Sequence, residues 1–392
     1  MNNSYQTNRG KIPCSLGIIY SLFLLLQACS GNPAPSGDPL DDILSTDDAL
    51  LQRVLQDPDS YELQIRYTRI ERKGDSVAFQ EYAYRVSDSN YFYPASTVKF
   101  PISVLALEKL NSLPEYNRKM DFYYEGDSVQ RSFEGDIEEI FAVSDNHASN
   151  RLFEFLGQDA INEGLTRRGV APVRIAHRLG FRWEEMTTRP IIIAVADSVS
   201  TQLLPIGNAP IQPLDLRGSL KGKGFMAGDS LRTEPFDFRL KNYLPLNSLH
   251  GTLQRVIFPE KFPVSQRFAL SEDQREFLME AMRITPRELG YDPETYPDGY
   301  CKFFIFGDSE EQIPASVNIY NKVGFAYGTL TDVAYIQDLE NEVEFMLSAT
   351  LLVNENGIFN DNTYEFDTVG IPFLAALGRA VYNYELAHPQ SD

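Results

Sequence analysis

Tyr93-Pro94-Ala95-Ser96-Thr97-Val98-Lys99-Phe100-Pro101 is the stretch on which the reading of this chain turns. It leads into residues 102–113, apolar on nearly every side, so the pattern predicts a helix buried on all faces with Ser96 at its start. Residues three apart on a helix share a face, which lets Lys99 reach back to the Ser96 hydroxyl. A serine hydroxyl is a weak nucleophile and needs a base. A lysine can serve only if its pKa falls, which burial, a second cation and a helix N-terminus all promote.

Two further short patterns follow in order, Ser144-Asp145-Asn146 and Lys322-Val323-Gly324. The first falls in a helical stretch, the second on an expected strand near the C-terminus. Each is common enough singly to mean little, and it is the ordered trio in these settings that carries information.

The trio resembles the one shared by the class A β-lactamases and penicillin-binding proteins. The likeness extends along Ser144-Asp145-Asn146-His147-Ala148-Ser149-Asn150-Arg151-Leu152 and along Lys322-Val323-Gly324-Phe325-Ala326-Tyr327-Gly328-Thr329-Leu330-Thr331-Asp332-Val333-Ala334. It covers roughly residues 60–385, with 189–264 unaccounted for. The resemblance implies Ser96 as nucleophile, Lys99 as its base, Ser144 as proton relay to the leaving nitrogen, and Asn146 holding Lys99 and the substrate amide. It implies Lys322 and Gly324 as the strand that binds substrate, Lys322 attracting a carboxylate. The backbone N–H groups of Ser96 and Phe325 would form an oxyanion hole, often worth about 3 kcal/mol per donor.

The departures bear on mechanism. Class A enzymes release the acyl group with a water held by glutamate in a Glu-x-x-Leu-Asn stretch, and none lies between Asn146 and Lys322. Residues 174–179 best match its approach and carry no carboxylate, while Glu184 and Glu185 beside Trp183 are the nearest substitutes. Val323 stands where the family has Thr or Ser, removing a hydroxyl that bonds the substrate carboxylate.

Other chemistries fit less well. Only four histidines occur (His147, His177, His250, His388), with no Gly-x-Ser-x-Gly, His-x-x-x-His or Cys-x-x-Cys, which disfavours a Ser-His-Asp triad and a zinc site. No metal or organic cofactor is expected. The net charge of −20 and the lack of any Lys/Arg-rich run disfavour nucleic-acid binding, since a phosphate backbone demands a clustered positive surface. With 43% hydrophobic residues the chain can bury a large core.

The first 28 residues have the form of a signal peptide: Arg9 and Lys11 are the only charges, and residues 18–26 are almost wholly apolar. Leu26-Gln27-Ala28-Cys29 resembles a bacterial lipobox, which predicts lipidation at Cys29 and an exported, membrane-anchored protein of the cell envelope. Cys14 would leave with the leader, so Cys301 is left without a partner for a disulfide. Cys301 sits in the aromatic run 300–306, which reads as a strand with an inert, buried thiol.

The expected organisation is a signal peptide at 1–28, a flexible Gly/Pro/Ser-rich tether at 29–45 and a β-lactamase-like domain at 46–392. That domain should be a two-lobed α/β (α+β) structure. An antiparallel sheet flanked by helices is built from 46–93 and 300–392, and a helical lobe from 94–299 contains a loop-rich insertion at about 189–264. Residues 61–71 and 77–85 read as a hairpin, 137–156 and 271–283 as helices, and 317–323, 330–337 and 343–353 as strands before a last helix at 369–385. The function expected is serine acyl transfer or hydrolysis on a β-lactam or a cell-wall-related peptide. The alternative is an envelope binding or scaffolding lipoprotein that keeps the fold without turnover.

Overall fold

The computed structural model describes residues 37–74, 76–127, 130–180, 185–196 and 199–389. The leader, Cys29, Trp183 and Glu184 lie outside the described residues. Among those described, no helix is long and apolar enough to cross a membrane.

The scaffold is one antiparallel sheet of strands β1 (Gln64–Lys73), β2 (Ser76–Tyr84), β3 (Val317–Ala326), β4 (Thr329–Asp338) and β5 (Val343–Leu352), in spatial order β3-β4-β5-β1-β2. The hairpin near the start of the fold pairs with the meander near its end, with Ile65 opposite Ala349 and Tyr67 opposite Leu347. β3 is therefore an edge strand. β4 and β5, at the middle of the sheet, are buried along nearly their whole length, whereas the edge strand β2 alternates between covered and exposed positions.

The helices are α1 (Pro39–Leu44), α2 (Ala49–Leu55), α3 (Lys99–Asn111), α4 (Phe133–Ala142), α5 (Asn146–Leu156), α6 (Gln158–Arg167), α7 (Leu246–Ile257), α8 (Glu272–Arg283) and α9 (Ile371–Ala387). α1, α2 and α9 cover one face of the sheet, where Leu40, Val54, Phe373, Leu377 and Val381 join Ile65, Val323 and Phe345 in one core. α7 covers the other face with Leu249, Leu253 and Val256, in the same core as α3 and α5. His250 of α7 is fully buried and bridges Thr68 Oγ1 at 2.8 Å and Ser348 Oγ at 2.7 Å, so its ring satisfies two strand hydroxyls. α3 is buried on every side from Lys99 to Leu107, as its pattern predicts.

Four expectations are corrected. The tether does not run to residue 45: Asp38 accepts from Leu40 N at 2.9 Å, Pro39 opens α1, and Leu40 and Ile43 are buried, so a capped amphipathic turn replaces flexible chain. Residues 137–156 are two helices, α4 and α5, parted at residues 143–145. The insertion contains α7, whose Leu246, Leu249, Leu253, Val256 and Ile257 carry the helical period that its Gly- and Pro-rich neighbours mask. Although it lies between 94 and 299, α7 packs on the sheet. Residues 300–306 form a 3-10 turn (Asp298–Cys301) and a kinked turn (Phe303–Phe306), because Ile305 takes φ 71° and breaks any strand. Cys301 is buried there, as expected, and burial raises its thiol pKa.

One buried ion pair ties α5 to residues 178–189. Arg178 meets Glu154 of α5 through Nε to Oε1 at 2.6 Å and Nη2 to Oε2 at 2.8 Å. The same guanidinium donates to the carbonyls of Glu185 at 2.8 Å and Thr187 at 3.1 Å, and Arg189 N donates to Glu154 at 2.8 Å. Without Arg178 the buried Glu154 keeps, besides the Arg189 N–H, only a 3.5 Å contact with Arg189 Nε, and breaking such a buried pair costs about 3–5 kcal/mol. Arg178→Met is therefore expected to lower the unfolding free energy by about that amount in urea titration, and a change under about 1 kcal/mol would show that the pair does not hold this segment.

Candidate active site

Ser96 lies in a 3-10 turn, Ala95–Val98, that runs into α3. Residues i and i+3 eclipse in such a turn, so Ser96 and Lys99 project on one side. Ala95 takes φ 46°, a left-handed conformation that an alanine adopts only under constraint. The constraint is local: Thr97 bonds Pro94 O through its N–H at 3.1 Å and its hydroxyl at 2.6 Å. β3 presses on the turn from the other side. A Cβ at Gly324 would stand 2.7 Å from Thr97 N and 2.8 Å from Ser96 N, so only glycine permits this approach. Gly324, expected among the substrate-binding residues, thus seats the edge strand against the nucleophile turn.

Ser144 closes the site from the α4–α5 connection. It also has positive φ, 58°, and Asp145 beside it caps α5 by accepting from Ala148 N at 2.7 Å. Two lysines meet at Ser144. Lys99 Nζ donates to Ser144 O and, at 3.2 Å, to Ser144 Oγ; Lys322 Nζ donates to the same Oγ at 2.9 Å and to Val323 O at 2.8 Å. Both lysines are buried, at 0% and 1% exposure. Burial, and then the Lys322 ammonium, hold the Lys99 pKa well below the ordinary lysine range, with Asp145 pulling the other way. Burial lowers Lys322 to about 8, opposed by Cys301 and Asp332.

Of the predicted residues, Ser96, Asn146 and Phe325 line one cleft, while Lys99, one turn after Ser96, and Lys322 meet at Ser144. Within this group, no hydrogen bond joins Lys99 Nζ to Ser96 Oγ or to Asn146. Asn146, expected to hold Lys99, is exposed on the cleft at the first turn of α5. Catalytic contacts often close only with substrate bound, and the eclipsed placement of Ser96 and Lys99 is what such closure needs.

The cleft has a volume of about 500 Å³ and is bounded by Ser96, Asn146, Leu179, Gly180 and Phe325, with Tyr93, Tyr327, Tyr364 and Phe366. No carboxylate lines it among the described residues. Asn150 clamps Leu179 through two 2.8 Å bonds to its backbone, and His177 lies buried against Tyr93, burial lowering its pKa to about 4. Its ring nitrogens serve the fold, Nδ1 bonding Arg178 O at 2.6 Å and Nε2 accepting from Asn242 N at 3.2 Å. Glu185 is exposed outside this lining. A second cavity of about 220 Å³, bounded by Asp59, Glu62, Arg217 and Lys221, has charges paired among themselves (Lys221–Glu62, Arg85–Asp59). Among the described residues no group of His, Cys, Asp and Glu could hold a metal ion.

A family model described as the β-lactamase enzyme family matches residues 76–384. The chain belongs to that family. Solved structures share its fold at low identity. A β-lactamase from Xanthomonas campestris pv. campestris is 14% identical with a TM-score of 0.52, covering 88% of this chain and 98% of its own. A variant of the reconstructed last common ancestor of Gram-negative class A β-lactamases is 15% identical with a TM-score of 0.52, covering 87% and 99%. A mutant of the chromosome-encoded β-lactamase of Vibrio parahaemolyticus is 14% identical with a TM-score of 0.51, covering 86% and 99%. Curated proteins supply no match. The fold is that of the serine β-lactamases.

Sequence reasoning did not single out Tyr327, Gly180 or the run Asn360, Asn362, Tyr364 and Phe366. The signal was a density of aromatic and Asn residues after the last strand, without a motif to mark it.

If Lys99 must be neutral and Lys322 charged, the rate at which Ser96 is acylated should fall at low pH and again at high pH. As the pH drops Lys99 regains a proton, at a pH well below the ordinary lysine range; above about pH 8 Lys322 loses its own. Rates of acylation from pH 5 to 10 test this, and a rate that climbs steadily to pH 10 would contradict it.

Proposed function

We propose that the protein is an envelope serine hydrolase or acyltransferase that acylates Ser96 with a β-lactam or cell-wall-related amide and releases the acyl group slowly. The supporting observation is the convergence of Lys99 and Lys322 on Ser144 beside Ser96, in a cleft without a carboxylate among its described lining. Neutral Lys99 takes the Ser96 proton as Oγ bonds the acyl carbon. The oxygen that gains charge faces the N–H groups of Ser96 and Phe325. Ser144 passes a proton to the departing nitrogen as its bond to carbon breaks, and Lys322 keeps that hydroxyl oriented. Export and a lipid anchor at Cys29 complete the reading.

A second reading, a binding or scaffolding lipoprotein without turnover, is favoured by Val323, which is buried and offers no hydroxyl to a substrate carboxylate. Covalent labelling separates the two. A fluorescent penicillin should label the wild type and not Ser96→Ala, with the adduct on the Ser96 peptide by mass spectrometry. An adduct on another serine would remove the claim. The label should persist for many minutes and be unchanged in Glu184→Gln and Glu185→Gln. Fast multiple turnover abolished by either change would make one of them the deacylating base.

Lys99→Arg keeps the charge but cannot deprotonate, so acylation should drop by at least about a hundredfold, the lower end for losing a general base. Wild-type rates in this variant would sink the assignment.

A further inference from the structure

We infer that the acyl donor is an uncharged amide or ester with an aromatic acyl group, recognised without a carboxylate beside the scissile bond. This rests on the acyl-Ser96 reading and specifies its substrate. The described lining of the cleft contains no Lys, Arg, Asp or Glu side chain. Lys322 is 1% exposed and donates to Ser144 Oγ and Val323 O. Val323, next on the strand, is buried and has no hydroxyl. Across from it in register stands Asp332, and beyond it Thr331 and Leu330, all fully buried and none cationic. A carboxylate brought here would lose its water and meet no exposed cation among the described residues.

Aromatic faces and carboxamides stand in its place. Phe325, 43% exposed, meets the edge of Phe366 at 5.4 Å, and Phe366 meets Tyr364 at 5.2 Å. Tyr327 packs on Tyr93 at 5.2 Å, backed by Phe236 and Phe238 of the insertion. The wall is built rigidly. Asn360 and Asn362 take φ 59° and 60°, Asn360 Nδ2 donates to Met226 O at 2.9 Å, and Asn360 N donates to Tyr364 Oη at 2.7 Å. Asp361 accepts from Asn356 Nδ2 at 2.8 Å and from Thr363 N at 2.9 Å. Preorganised aromatic edges and faces suit a ring on the acyl group, while Asn146 and Asn362 offer uncharged donors and acceptors to its amide. In the step itself the Ser96 Oγ–acyl bond forms as the bond to the leaving nitrogen or oxygen breaks, and the proton from Oγ ends on that atom.

The test compares benzylpenicillin with its methyl ester as acylating agents of the full chain, following the Ser96 adduct by mass spectrometry. The ester should acylate at least as fast as the acid; an acid that outruns its ester would overturn the inference while leaving the acyl-Ser96 reading intact. No Ser96 adduct from either would overturn both. The aromatic part is read from p-nitrophenyl phenylacetate against p-nitrophenyl acetate, each corrected for spontaneous hydrolysis. Wild type should prefer the phenylacetyl ester by tenfold or more, and Phe366→Ala should lose most of that preference. Equal rates in the wild type, or a ratio untouched in Phe366→Ala, would overturn it.

Discussion

Two lysine side chains buried within reach of one serine hydroxyl are the constraint around which this molecule is arranged. Neither can be left in the interior as a bare ammonium, since desolvating an isolated charge costs several kcal/mol. Lys99 answers with a pKa that burial and the Lys322 ammonium push well below the ordinary lysine range, and Lys322 by sharing Ser144 Oγ and Val323 O. The convergence requires three elements from distant parts of the chain to meet: the 3-10 turn before α3, the α4–α5 connection and edge strand β3. Strained backbone at Ala95 and Ser144 and the missing side chain at Gly324 are the local adjustments that let them meet. A further buried group stands behind β3, where Lys302 donates to Asn321 Oδ1 at 2.8 Å and Asn321 donates to Asp332 Oδ1 at 2.9 Å, keeping the back of the strand satisfied.

The insertion bears on the same site from outside. Its strand Gly224–Ala227 pairs in parallel with Ile358–Phe359, and its Phe236 and Phe238 pack with Tyr93, Tyr327 and Phe359 in a small core of their own. These residues do not touch the reacting atoms. They fix the position of the aromatic wall, and Arg178 with Glu154 fixes the segment opposite it. Shape at the cleft is therefore set by packing remote from Ser96.

Much of this was legible in the sequence, for reasons that differ by residue. The first hairpin declared itself by alternating residues around a turn and α3 by a stretch apolar on nearly every side, while residues 271–283 read as a helix whose first turn Ser271 and Gln274 close with a capping box in the structure. Ser96, Lys99, Ser144, Asn146 and Lys322 were legible because a short spacing or an ordered motif encoded them. What stayed hidden depends on pairs far apart in sequence. Nothing local to Arg178 names Glu154, and nothing in residues 360–366 says that they face Ser96. The break at Ser144 was hidden too, since an apolar period runs through both α4 and α5 while the positive φ between them is imposed by the site.

The central claim is that the fold holds the pKa of the Lys99 amine well below the ordinary lysine range because of where it puts that side chain. It is tested most directly by NMR of Lys99 with labelled side-chain nitrogen, assigned by comparison with Lys99→Arg and followed from pH 4 to 11. The account predicts that the ammonium signal gives way to the amine well before the ordinary lysine range is reached. An ammonium signal that persists to pH 9 or above would contradict it.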